Sequence, residues 1–244
     1  MQPSAVAPAQ VIERTRLSDT VYNQLLESIA GGKYAVGFRL PTEQQLSQQF
    51  LVSRPVVREA LRRLQSDGII VSRQGSGTYV QRRPSEKVVV LTAKQNLRHV
   101  LEGFELRMSL EELSARLAAR NRTDADIAAI EAAADALRHA FARNLSRDAE
   151  KEADYAFHRA IAVASRNDLL VEVLDSIAEK VKGGMQVTLS LTHEASELRR
   201  KRVLDEHERI CRAIKVGDPE SAGIAMRYHL DQARNRLIDG QLDR

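Results

Sequence analysis

The chain has 244 residues, is 43% hydrophobic and carries a formal charge of +4, which admits two domains with real cores and excludes a disordered tail. The single cysteine, Cys211, excludes an internal disulfide, so the reducing cytoplasm is the expected compartment. No apolar run approaches the roughly 20 residues of a membrane span, and residues 1–13 read as a flexible Ala/Pro/Gln leader rather than a signal peptide.

The positive charge is concentrated in the first third. Residues 1–83 hold 11 Lys and Arg against 6 Asp and Glu, whereas residues 84–244 hold 26 against 27. A basic module attached to a neutral body suits anion binding, because Lys and Arg contacts to phosphate supply most non-specific affinity for DNA.

In chain order, Val21, Leu25, Leu26 and Ile29 recur at helical spacing, with Ser18 expected as N-cap and Gly31-Gly32 as the stop. Thr42 and Gln45 have the spacing of a capping box, which opens a second helix running to about Phe50. After the tight Leu51-Val52 connection, Ser53 is expected to cap a third helix. Pro55 is tolerated in that helix's first turn, Val57, Ala60, Leu61 and Leu64 form its buried stripe, and Gly68 stops it.

Two helices joined by so short a turn are a helix-turn-helix, in which the second helix presents its N-terminal residues to the major groove. Arg54 and Arg58 lie four apart, opposite the buried stripe, where a guanidinium can bind guanine O6 and N7. Ile69–Ser72 and Thr78–Gln81 then alternate as strands around Arg73-Gln74-Gly75-Ser76-Gly77. A hairpin tipped by two glycines lets backbone approach a groove closely and reads as a wing.

Residues 17–83 resemble the winged-helix domain of the GntR family of bacterial transcription regulators. The likeness rests on Leu40-Pro41-Thr42-Glu43, on Ser53-Arg54 with Arg58-Glu59-Ala60-Leu61, Leu64 and Gly68, and on Gly75, Gly77, Thr78 and Val80. It implies base or phosphate contacts from Arg54 and Arg58, backbone contacts from Thr42 and Ser53, and minor-groove entry by Gly75, with Arg73 beside it. Many relatives carry Arg where this chain has Gln44, which implies a neutral, more adenine-tolerant contact there.

Residues 84–93, polar and proline-broken at their start, suit a linker between a DNA-binding domain at 14–83 and a second domain at 94–244. The second domain is rich in Ala, Leu, Glu and Arg, and Pro219 is its only proline. Helices are expected at about 94–120, 123–144, 147–164, 168–191, 194–216 and 219–239, capped by Thr123, Ser146, Asp168 and Asp218 and forming an antiparallel bundle. The fold class is therefore mainly α with one β-hairpin.

Four polar residues fall on core stripes of this bundle. Asp154 and His158 share a stripe with Phe157 and Ile161, His207 joins Ile210, Cys211 and Ile214, and His229 lies between Met226 and Ala233. Ionisable groups in a core are costly unless paired or bound to a cation. One Asp and three His suit Zn²⁺ first, then Ni²⁺, Mn²⁺ or Fe²⁺, over Ca²⁺ or Mg²⁺. The alternative is an Asp154···His158 hydrogen bond, with His207 and His229 satisfied separately. His99, His139 and His193 read as surface residues.

Residues 95–239 resemble the FCD ligand-binding domain of the FadR-type branch of the GntR regulators. The matching residues are Glu105, Arg107, Leu110 and Glu111, Asp154 and His158 with Asn167 and Leu170, Glu206-His207 with Ile210, Gly217-Asp218, and Met226 with His229. The resemblance implies that Asp154, His158, His207 and His229 ligate a metal and that Arg107 faces the effector cavity. It disfavours an acyl-CoA effector, since lipid-binding members do not retain the histidines. The expected protein is a homodimeric repressor that reads a palindromic operator in double-stranded DNA and is released by a small carboxylate or sugar acid. Two rivals remain: a metal-dependent enzyme with a DNA-binding appendage, and a regulator whose metal is purely structural.

Overall fold

The structure is a computed structural model that describes residues 8–85, 88–90, 97–143, 145–193 and 197–239. The chain divides into two compact units, one reaching Ala93 and the other spanning Lys94–Leu237. Residues 1–7 of the expected leader, residues 86, 87 and 91–93 of the expected linker, and the side chain of His193 lie outside the described set. No helix among the described residues is long and apolar enough to cross a membrane.

The first unit comprises α1 (Pro8–Ala30), α2 (Glu43–Phe50), α3 (Arg54–Ser66), β1 (Ile70–Arg73) and β2 (Gly77–Val80). Helix α1 starts ten residues before the expected cap, so part of the expected leader is helical and Ser18 is a buried mid-helix residue. Pro8 stands at the first helical position, where its missing N–H costs nothing, and the following residues are mostly good helix formers. Val21, Tyr22, Leu25 and Ile29 are fully buried, as are Leu46, Val57, Ala60 and Leu64 of α2 and α3. The Tyr22 hydroxyl donates to Oδ2 of Asp67 at 2.6 Å, so the buried phenol is satisfied.

The capping box at Thr42 forms as the spacing predicts: its Oγ1 accepts from Gln45 N at 3.3 Å, and Gln45 Oε1 accepts from Thr42 N at 2.8 Å. The turn between α2 and α3 is made by Leu51, which adopts φ 55° and is 91% exposed. A left-handed leucine costs about 1–2 kcal/mol, offset in part where Val52 N donates to Ser47 O at 3.1 Å. Ser53 occupies the N-cap of α3, but its hydroxyl makes no cap hydrogen bond, contrary to expectation. The buried stripe of α3 is also shifted: Val56, Val57, Ala60 and Leu64 are buried, while Leu61 is half-exposed. Strands β1 and β2 pair antiparallel from Ile70↔Val80 to Arg73↔Gly77, and Arg39 bridges to Tyr79 on the outer edge of β2.

The second unit holds α4 (Leu97–Asn121), α5 (Asp124–Ala142), α6 (Arg147–Ala164), α7 (Asp168–Ser176), α8 (Ala178–His193), α9 (Glu197–Val216) and α10 (Pro219–Ile238). Thr123 caps α5 with Asp126 and Ser146 caps α6, as expected, but α7 is capped by Asn167 instead of Asp168. The single helix expected at 168–191 is broken at Ile177. Helix α7 buries Leu170 and Leu174, while Val181, Met185 and Leu189 of α8 cluster with Leu137, Phe141 and Val203. Helix α6 is central, packing against α4, α5, α7 and α8, and full burial of a side chain such as its Phe157 contributes about 1.5–3 kcal/mol.

Candidate nucleic-acid interface and metal centre

In the first unit, α2 and α3 place Glu43, Arg54 and Arg58 together. Arg58 donates from Nε to Glu43 Oε1 at 3.0 Å and from Nη2 to Oε2 at 2.9 Å, a bidentate fork, and Arg54 Nη2 lies 3.9 Å from the same carboxylate. The hydrogen bond from Arg58 holds the Glu43 carboxyl below the usual carboxylate range, against the opposing effect of burial. Both arginines remain half-exposed or more. Thr42 and Arg58 line a groove of 280 Å³ between α2, α3 and the wing, together with Arg39 and Arg62, which the sequence reading did not single out. Arg62 was legible one turn after Arg58; Arg39 carried no such signal.

Gln44 and Ser53 are exposed, and so are Arg73 and Gly75 in the wing. Gly75 takes φ 70° at the tip, where a side chain is disfavoured. A Cβ on Gly77 would lie 2.7 Å from Arg39 Nε, so this glycine makes room for the arginine. The guanidinium of Arg73 sits 4.8 Å from the centre of the Tyr79 ring, which steadies it beside the tip.

In the second unit, Asp154 and His158 of α6, His207 of α9 and His229 of α10 are all buried, and one ligand atom from each lies within 4.8 Å of the others. His207 Nδ1 lies 2.8 Å from the Val203 carbonyl and His229 Nδ1 lies 2.8 Å from Glu206 Oε2. Both partners only accept, so each Nδ1 carries the proton and each Nε2 presents a lone pair. His158 Nδ1 is 2.6 Å from Glu111 Oε2, off the line of a well-formed hydrogen bond. Glu111 in turn accepts from Arg107 Nε at 2.6 Å.

This arrangement leaves a deficit of positive charge at its centre. His207 Nε2 faces Asp154 Oδ1 at 3.1 Å, two lone-pair atoms that attract only through a proton or a cation between them. His158 Nε2 is buried, has no hydrogen-bond partner among the described residues, and lies 3.9 Å from Asp154 Oδ1. The Asp154···His158 hydrogen bond weighed as the alternative is therefore not formed. A divalent cation coordinated by these four residues satisfies both defects, and the outer contacts to Glu111, Val203 and Glu206 are of the kind that orient histidine ligands.

The electrostatics agree. Burial pushes the Glu111 carboxyl up, but Arg107 and His158 outweigh it and hold it at about 2. Asp154 is likewise driven below its ordinary value, burial being outweighed by the His207 contact and the three imidazoles. Burial first, then His207, lowers His229 to about 4, so its ring is neutral at pH 7.

Arg107 is buried and lines a cavity of only 10 Å³ beside Asp154 and His229, along with Arg236. His99 and His139 are exposed, as expected. Glu111 and Glu206 were missed as site residues. Their signal was present in the i, i+4 spacing of Arg107 and Glu111 and in the adjacency of Glu206 to His207.

Residues 17–80 match the family described as bacterial regulatory proteins, gntR family, and residues 102–232 match the FCD domain. The chain belongs to the GntR family of transcription regulators, in its FadR-type branch. The regulator LutR of Bacillus subtilis is 32% identical over 215 residues, covering 86% of this chain and 95% of its own. A putative L-lactate dehydrogenase operon regulatory protein of Escherichia coli is 32% identical over 248 residues, with coverages of 91% and 92%. Among solved structures, Streptococcus agalactiae GntR is 28% identical and covers 89% of this chain and 99% of its own, at a TM-score of 0.46. This GntR regulator is a DNA-binding transcription regulator.

Proposed function

We propose that this GntR regulator is a homodimeric cytoplasmic repressor whose hold on its operator is released by a small carboxylate or sugar acid bound beside a divalent metal. The observation that carries the reading is the convergence of Asp154, His158, His207 and His229 on one buried point, with Nδ1 of each ring turned outward to an acceptor.

In this reading Asp154, His158, His207 and His229 hold the ion, Zn²⁺ first among candidates, and the ion supplies a positive anchor for a carboxylate. Glu111, Glu206 and the Val203 carbonyl orient the imidazoles, and Arg107 faces the ligand. In the DNA-binding unit Arg54 and Arg58 read base edges, with Gln44, Thr42, Ser53, Arg73 and Gly75 contacting bases or backbone nearby. Two such heads read the halves of a palindrome. The effector shifts the balance only to the extent that it binds the non-operator arrangement more tightly.

Relatives named for lactate and uxu operons support sensing of small organic acids. The test is fluorescence anisotropy on DNA from upstream of the regulator's own gene, with metal-loaded protein. Addition of the cognate carboxylate is expected to release the DNA, and chelator is expected to abolish that response; a release indifferent to metal refutes the reading.

A further inference from the structure

We infer that Arg236 is a second anion-binding group of the effector cavity. The inference rests on the effector reading above and adds to it a residue.

Arg236 lies on α10, two turns beyond His229, and lines the same cavity as Arg107, Asp154 and His229. Its side chain is nine-tenths buried. Glu206 is a close carboxylate, with Arg236 Nη1 3.5 Å from its Oε1, while the other oxygen of that carboxylate accepts from His229. Nε of Arg236 is buried with no acceptor among the described residues. A guanidinium so placed is costly unless something else in the cavity accepts its N–H groups. Arg107 cannot serve, and Asp154 is turned to His207. The acceptor that fits is a carboxylate entering from the metal side.

The present cavity of 10 Å³ holds about one water molecule, so the ligand is small and its entry must displace neighbouring side chains.

The test uses the full-length protein loaded with Co²⁺, whose visible bands report ligands at the site, titrated with glycolate or succinate at constant ionic strength. Glycolate is expected to perturb the bands. Arg236→Met and Arg236→Gln are expected to raise the glycolate midpoint about 10- to 100-fold, the range for a lost charge-assisted pair. The glutamine variant keeps a polar side chain at this position should the methionine variant fail to fold. Wild-type midpoints in a folded variant overturn the role of Arg236. Bands indifferent to both acids in the unaltered protein overturn the effector reading itself.

Discussion

Arg58 grips Glu43 through two parallel hydrogen bonds of 3.0 and 2.9 Å, which join the first helix of the DNA-binding motif to the second. The fork that could bind a guanine is thus held in place by a carboxylate before DNA arrives. Replacing either Arg54 or Arg58 by Ala is expected to weaken operator binding about 10- to 100-fold, the discrimination of one bidentate base contact. The helical bundle should melt unchanged, since neither side chain is buried. Anisotropy titrations alongside circular dichroism check both halves of the prediction.

Removing the carboxylate while keeping its shape has the opposite sign on non-specific binding. Glu43→Gln releases Arg58 from its partner and deletes a negative charge facing phosphate. Affinity for unrelated DNA should rise, with a steeper salt dependence, and the ratio of operator to non-operator affinity should fall. Titration of both DNAs at several salt concentrations reads this directly.

Metal binding should contribute to folding. Chelator treatment is expected to lower the melting temperature by several degrees, and excess divalent transition metal to restore it. Saturation 1,000-fold above Kd corresponds to about 4 kcal/mol. Glu206→Gln should leave the stoichiometry unchanged but weaken affinity about 10- to 100-fold, because the His229 ring loses the ionised carboxylate that orients it. A competition titration with a chromogenic chelator measures the shift.

Acid should destabilise the metal-free protein in a defined window. His229 is held down to about 4 in the folded chain, against about 6.5 when unfolded. Above pH 6.5 both states are neutral and the contribution is fully present. Between 6.5 and 4 the unfolded chain takes up a proton that the folded one refuses, so stability falls with pH. Metal loading should weaken over the same range as protons compete for the imidazoles. Thermal unfolding from pH 7.5 to 4 should show the loss, and His229→Gln should make its slope shallower.

Most of this architecture was legible because period, caps and turns agreed. The Thr42 capping box, the Arg54/Arg58 face, the glycine tip and the inward stripe of Asp154 and His158 all appear where spacing puts them. What failed were features governed by tertiary context. Ser18 looked like a cap because its side chain suits one, yet helix formers on both sides carry α1 through it. The break at Ile177 has no Gly or Pro to mark it, and the apolar spacing of Leu170, Leu174, Val181, Met185 and Leu189 runs through it without interruption. Glu111, Glu206 and Arg236 were not singled out for a similar reason: on helices rich in charged residues, only the folded geometry separates those turned to the centre from those in solvent.

The most direct measurement is elemental analysis of the purified full-length protein beside Asp154→Ala and His207→Ala variants that retain their helical content. The account predicts about one divalent transition-metal ion per chain, removable by chelator and regained on re-addition, and a small fraction of that in either variant. A chain that takes up no stoichiometric metal when offered Zn²⁺, Ni²⁺, Mn²⁺ or Fe²⁺, or variants that retain it in full, would contradict the account.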